Sequence, residues 1–285
     1  MTSAAPEISS PVGVIAGGGA MPFAVADSLQ KRGIAPVLFA LRGACDPVAV
    51  ERFRHHWISV GQLGRAIKLF RSEGCRDLIF IGSLLRPALS EIRLDLGTIS
   101  RIGSIMSAFR GGDDHLLSGI GRIFEQDGFR MVGIRDVAPD ILIPEGTIAR
   151  ATPDPAASAD IERGRQVLRA LGPFDIGQAV VVIDGHVVAV EDIEGTDGLL
   201  ARVARLREAG RIRASRGRGV LVKAPKSSQD LRFDLPAVGP KTVEGVAKAG
   251  LAGMAVIAGN TIAAESQEMI AAADKAGVFI QGLPA

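Results

Sequence analysis

Between residues 223 and 240 the chain reads KAPKSSQDLRFDLPAVGP, which gathers Lys223, Lys226, Gln229, Asp230, Arg232 and Asp234 into one short stretch. Lysine and arginine suit phosphate oxygens. A carboxylate can hold Mg²⁺, an ion that usually needs only one or two of them beside the phosphates of a substrate. The stretch follows the apolar run GVLV, and the ends of strands in open α/β sheets are where ligands collect. A metal, cations and a carboxylate together suit hydrolysis of a phosphate ester or phosphoanhydride. A solvated loop laced with surface ion pairs would use the same residue types.

Two other stretches have chemical potential. EDIEGTD, Glu191 to Asp197, lies where a predicted hairpin ends and a helix begins. Glu194 and Asp197 are candidate ligands there and Thr196 a candidate N-cap, although capping alone accounts equally well for Thr196 and Asp197. GVIAGGGAMP, Gly13 to Pro22, runs from a strand through Gly17, Gly18, Gly19 and Ala20 into a helix. Backbone N–H groups at such a helix start make an anion cradle. The dinucleotide fingerprint wants a third glycine where Pro22 stands and an acid at the end of the second strand, where Arg42 stands. NAD binding is therefore disfavoured. No Lys-Ser or Lys-Thr pair follows the glycines, so a P-loop is not expected either. His55 and His56 are adjacent and would face opposite sides of a strand, and no Gly-x-Ser-x-Gly or His-Glu-x-x-His pattern occurs.

These residues need elements to hold them. Short apolar runs at Val12–Ala16, Pro36–Leu41, Trp57–Val60 and Asp77–Leu84 alternate with helical spacing from Pro22 to Arg32 and in GQLGRAIKLFRSEG. This alternation predicts an N-terminal Rossmann-like α/β domain with a parallel sheet. Helices are expected over Thr98–Arg110 and Asp113–Asp127. The proline-rich, small-residue stretch Pro144–Asp160 marks a boundary, giving domains at 1–147 and 148–285. The second domain reads as α/β with a mixed sheet and hairpins: a helix over Ala157–Leu171, then AVVVIDGHVVAVE with Asp184-Gly185 as its turn. A strand at Gly219–Ala224, a helix at Lys241–Lys248, a second apparent hairpin around Gly259-Asn260, a helix at Ser266–Ala276 and a strand at Val278–Gln281 follow.

Composition narrows the classes. The 33 Lys and Arg against 31 Asp and Glu give a net charge of +2, and aromatic residues are 4%. Neither an electrostatic footprint nor a stacking platform for nucleic acid is present. No apolar stretch approaches the roughly 20 residues of a membrane span. No secretory signal is evident, and Cys45 and Cys75 have no metal or redox spacing. A cytoplasmic protein is expected. ARVARLREAGRIRASRGRG carries seven arginines that could touch anionic lipid headgroups.

GVIAGGGAMP, GQLGRAIKLFRSEG, RPALSEIRLD, GDDHLL, FEQDGF, DIGQAVVVIDGHVVAVEDIEGTDGLL, LVKAPKSSQDLRFDLPAVGP, AGLAGMAVIAGNT and IAAADKAGVFI occur in this order. The ordered set, across residues 11 to 283, resembles the LpxI family, the UDP-2,3-diacylglucosamine pyrophosphatases of lipid A biosynthesis in certain Gram-negative bacteria. The resemblance implies a Mg²⁺-dependent hydrolase producing UMP and 2,3-diacylglucosamine 1-phosphate (lipid X), with substrate held between two domains. It implies Asp234 of FDLP as the catalytic acid, with Asp230 and Lys223 beside it. Asp234 and Asp197 are expected as metal ligands. Gly17, Gly18, Gly19, Ala20, Gln178, Glu194, Gly195, Thr196, Lys226, Gln229 and Arg232 are expected to contact substrate. Peripheral contact with the cytoplasmic face of the inner membrane and a homodimer are the expected associations. A nucleotide-sugar transferase and a non-catalytic nucleotide or lipid carrier are the competing readings.

Overall fold

A computed structural model describes residues 7–83, 95–99, 113–226, 230–233 and 235–285. Asp234, Gln229, most of RPALSEIRLD and the predicted helix from residue 100 to 110 lie outside the described residues. The chain groups into two units, Met1–Asp140 with Asp230–Asp234, and Ile141–Gln229 with Leu235–Ala285.

In the first unit β1 (Val12–Ala16) is buried along its whole length, as an unbroken apolar run requires of a central parallel strand. It pairs in parallel with β2 (Pro36–Leu41) and β4 (Asp77–Ile81), with β3 (His55–Ile58) outside β2 and β5 (Arg130–Met131) outside β4. The order β3-β2-β1-β4-β5 reverses direction between β1 and β4. Such a switch point opens a crevice at the carboxyl ends of the strands. Helix α1 (Met21–Lys31) takes Pro22 in its first turn, where a missing N–H is harmless. Helix α2 (Leu63–Ser72) buries Ala66, Ile67 and Phe70. The Phe70 ring meets Phe39, Phe124 and Phe129 edge-on at 4.5, 5.3 and 5.5 Å. Short helix α3 (Leu96–Ile99), α4 (Asp113–Gln126) and α5 (Ile134–Val137) follow. Asp113 to Gln126 is thus helical as its spacing predicts.

The start of the sheet is tied by one ion pair. Asp77 and Arg130 stand opposite each other in the β4–β5 register. Arg130 donates to both Asp77 oxygens at 2.6 Å, while Ser9 donates its N–H and hydroxyl at 2.7 and 2.8 Å. Burial pushes the Asp77 carboxyl upward, but the Arg130 and Ser9 donors outweigh it and hold it below the usual carboxylate range. A depressed folded value stabilises the protein above the unfolded carboxylate pKa of about 3.9 and loses that stabilisation as pH falls through the folded value. Asp77→Asn is therefore expected to cost about 2 kcal/mol at pH 7, less than a fully buried pair because Arg130 is half exposed. Urea melts at pH 7 and pH 3 check this, with the mutant's deficit shrinking at the lower pH.

The second unit holds a six-stranded sheet in the order β6-β13-β11-β9-β7-β8. Here β9 (Val220–Lys223), β11 (Gly253–Ile257) and β13 (Phe279–Leu283) are parallel. β6 (Gly146–Thr147) runs antiparallel on β13, and β7 (Ala179–Ile183) runs antiparallel to β9 and to β8 (His186–Val190). The β7–β8 turn is Asp184-Gly185, both at positive φ (49° and 77°), as a two-residue hairpin of this type needs. Helix α6 (Pro155–Leu171) packs closely on the sheet, since a Cβ on Gly164 would lie 2.5 Å from Val222. A second core joins the sheet to α7 (Gly195–Glu208), α8 (Pro240–Lys248) and α9 (Ser266–Ala276) through Leu199, Leu200, Val203, Val243, Val246 and Met269.

The predicted hairpin around Gly259-Asn260 does not form. β9 and β13 already occupy both edges of β11, and of the two turn residues only Gly259 has positive φ. The chain instead turns at Asn260, whose N–H donates to Ile257 O at 3.2 Å, and lays β12 (Ile262–Ala263) parallel to β10 (Ala237–Val238). Among the described residues no helix is long and apolar enough to cross a membrane.

Candidate active site

In the first unit the glycine stretch leaves β1 beside the end of β4. Gly17 N–H donates to Ile81 O at 2.8 Å and Gly18 N–H to Ser83 O at 2.7 Å, while Ser83 N–H returns to Gly18 O at 3.0 Å. A Cβ on Gly17 would sit 2.5 Å from Ser83 O. Gly17 and Gly18 are absent of side chains because two strand ends meet there, and their amides serve the fold rather than a ligand. Gly19 takes φ +88° with open space where a Cβ would be. The amides of Gly19, Ala20 and Met21 carry no backbone partner among the described residues, and no side chain caps Ala20. The open amides in this stretch are therefore those of Gly19 to Met21, whereas the sequence pointed to Gly17 to Ala20. Arg42, at the end of β2, lies over the Trp57 ring at 5.7 Å from its centroid.

The turn at residues 230–233 belongs to this unit. Arg232 donates to both oxygens of Asp230 and, through Nη1, to Glu125 at 2.8 Å. The guanidinium holds the Asp230 carboxyl below the ordinary range, and Asp230 in turn raises Arg232. Phe233 packs on Phe80, with ring centroids 6.0 Å apart, and a Cβ on Gly121 would meet the Phe233 ring at 2.5 Å. The expected catalytic part for Asp230 and phosphate part for Arg232 meet a physical obstacle: each already neutralises the other. Their arrangement anchors the turn that leads directly into Asp234.

The second unit assembles a polar chain at one end of its sheet. Lys223 is the last residue of β9 and only 6% exposed. Its Nζ donates to Thr196 Oγ1 at 2.8 Å and to Ala237 O at 3.3 Å. The Thr196 hydroxyl donates to Glu191 Oε1 at 2.7 Å, and Gln178 N–H donates to Glu191 Oε2 at 2.8 Å. Thr196 sits in the first turn of α7, which the chain enters through Gly195 at φ +70°. Lys223, Thr196 and Gln178, three of the expected site residues, are joined by this chain through Glu191. Thr196 is not a helix cap; its hydroxyl links a lysine to a carboxylate. Glu191 was overlooked, and its only signal was an acid at the end of an otherwise apolar strand.

The remaining expected residues separate. Glu194 pairs with Arg202, and Asp197 is exposed in the first turn of α7. Lys226 pairs with Asp175 at 2.7 Å. The basic segment is largely committed to its own fold: Arg207 donates to Ala249 O at 2.8 Å, Arg216 to Ala247 O at 2.9 Å, and Arg218 pairs with Asp184. These contacts leave the expected headgroup face with few of its seven arginines. His55 and His56 diverge, to Phe53 O and Glu73 respectively. Burial pushes the Cys75 thiol up to about 12, which makes it inert.

Among the described residues no three His, Cys, Asp or Glu side chains stand together as a metal site. An all-protein cage is therefore not preformed among them. Of the two expected metal ligands, Asp197 is described: it is exposed and lies next in sequence to Thr196, the partner of Lys223.

Family models described as the LpxI N-terminal domain and the LpxI C-terminal domain match residues 11–141 and 144–281. A relative from Caulobacter vibrioides, named UDP-2,3-diacylglucosamine pyrophosphatase LpxI, is 40% identical over 272 residues, which span 95% of this chain and 97% of the relative.

Proposed function

The chain belongs to the LpxI family, and on that premise we propose that it hydrolyses the pyrophosphate bond of UDP-2,3-diacylglucosamine. Water adds across the P–O–P bridge, giving UMP and 2,3-diacylglucosamine 1-phosphate. The observation that carries this reading is the 40% identity running through nearly all of both chains to a relative named for that activity. The buried Lys223 supports it independently, because a desolvated ammonium at a strand end stabilises charge developing on a phosphate far better than an exposed one.

In this reading Lys223 neutralises the pyrophosphate, and Lys226 adds a second cation. Asp234 orients the attacking water, and the amides of Gly19 to Met21 bind an anionic group of the substrate. Gln178, Gly195 and Thr196 border the ligand in the second unit. Mg²⁺, held by Asp234 with Asp197 as a second carboxylate, would supply Lewis-acid neutralisation of the phosphates. Phe174, Ile176 and Ile193 are exposed, at 73%, 42% and 104%, on the loops that also carry Gln178 and Glu191. Apolar side chains placed there suit peripheral contact with the membrane that holds a diacylated substrate.

Metal removal tests the cofactor assignment. With UDP-2,3-diacylglucosamine in detergent micelles, excess EDTA is expected to lower UMP release at least about a hundredfold, and added Mg²⁺ to restore it. Turnover untouched by chelator would remove the metal from the mechanism; no UMP under any condition would remove the hydrolase reading.

A further inference from the structure

We infer that Glu191 is a positioning residue, whose buried carboxylate fixes the Lys223 ammonium through the hydroxyl of Thr196. This rests on the part given to Lys223 in the proposed reaction. The direction of the chain follows from what each group can do. A lysine ammonium has donors only, so Thr196 Oγ1 must accept from it. The single hydroxyl proton of Thr196 then points to Glu191 Oε1, an acceptor when ionised. The other carboxylate oxygen accepts Gln178 N–H, so the group is held at both oxygens and cannot swing away.

The backbone around Glu191 is fixed as well. Its N–H donates to Ala179 O at 2.9 Å, and a Cβ on Gly177 would fall 2.1 Å from Glu191 O. Only a glycine permits that approach of the two loops, here at φ +50°. Glu191 is 5% exposed and out of reach of a ligand itself. The Thr196 hydroxyl thus passes the fixed position of the Glu191 carboxylate on to the Lys223 ammonium.

Glu191→Gln places an amide NH₂ against either the Thr196 hydroxyl or the Gln178 N–H, so one of the two donors loses its acceptor. The test uses the full chain with two readouts: steady-state hydrolysis of UDP-2,3-diacylglucosamine, and the rate at which acetic anhydride acetylates Lys223 without substrate, followed by mass spectrometry. Glu191→Gln is expected to lower kcat about tenfold with little change in KM, and to acetylate Lys223 faster than wild type. In a Lys223→Met background the Glu191 substitution is expected to cause no further loss, as coupled residues require. Thr196→Val, which keeps volume and removes the hydroxyl, reads the same link where Glu191→Gln does not fold. Wild-type kcat and acetylation in the folded variants, or a loss that adds in full to that of Lys223→Met, would overturn the inference. Absence of turnover by wild type would instead sink the proposed function, and the acetylation rates would still decide the link.

Discussion

Asp234→Asn is expected to reduce UMP release on the order of a thousandfold while leaving the melting temperature near that of wild type. The substitution keeps the shape of the side chain and removes the charge. A carboxylate that binds a metal or orients water contributes several kcal/mol to the transition state, and each 1.36 kcal/mol is about a factor of ten in rate. Asp234 follows directly on a turn fastened by the Arg232–Asp230 and Arg232–Glu125 bonds and by Phe233 against Phe80. Arg232, Asp230, Glu125, Phe233 and Phe80 all remain in the variant, so its fold is expected to persist, as circular dichroism would show. Activity within threefold of wild type would remove Asp234 from the chemistry.

The second large effect is expected at Lys223. Lys223→Met preserves the buried stem of the side chain and deletes the ammonium, and kcat/KM is expected to fall about a hundredfold. Stability should drop by about 1–3 kcal/mol as well, because Thr196 Oγ1 and Ala237 O lose a charged donor. Steady-state kinetics and urea melts separate the two effects. Lys223→Arg is not expected to rescue, since a planar guanidinium does not reproduce a compact point charge in a closed site. A catalytically normal Lys223→Met would reduce the polar chain to a structural tie.

Much of this architecture was legible because apolar periodicity reports burial directly. Val12–Ala16 and Pro36–Leu41 formed strands at the predicted bounds, and Asp184-Gly185 turned a hairpin as its positive φ values require. Gly259-Asn260 misled because local turn chemistry says nothing of whether the neighbouring sheet edges are already taken. Glu191 escaped notice for a related reason: a carboxylate after an apolar strand looks solvated until the fold brings the Gln178 amide and the Thr196 hydroxyl against its two oxygens. Asp230 and Arg232 looked like separate functional groups, yet a turn lets residues two apart face each other, and there each carries the counter-charge of the other. The glycines were readable as a strand-to-helix turn, whereas the division between packing at Gly17 and Gly18 and open amides from Gly19 depends on Ser83 across the sheet.

The most direct test of the central claim is the product balance on UDP-2,3-diacylglucosamine with Mg²⁺, followed by chromatography and mass spectrometry of both halves. Hydrolysis of the pyrophosphate predicts UMP and 2,3-diacylglucosamine 1-phosphate appearing in equal amounts, over many turnovers per protein molecule. Release of UDP with transfer of the sugar, or stoichiometric binding without turnover, would contradict it.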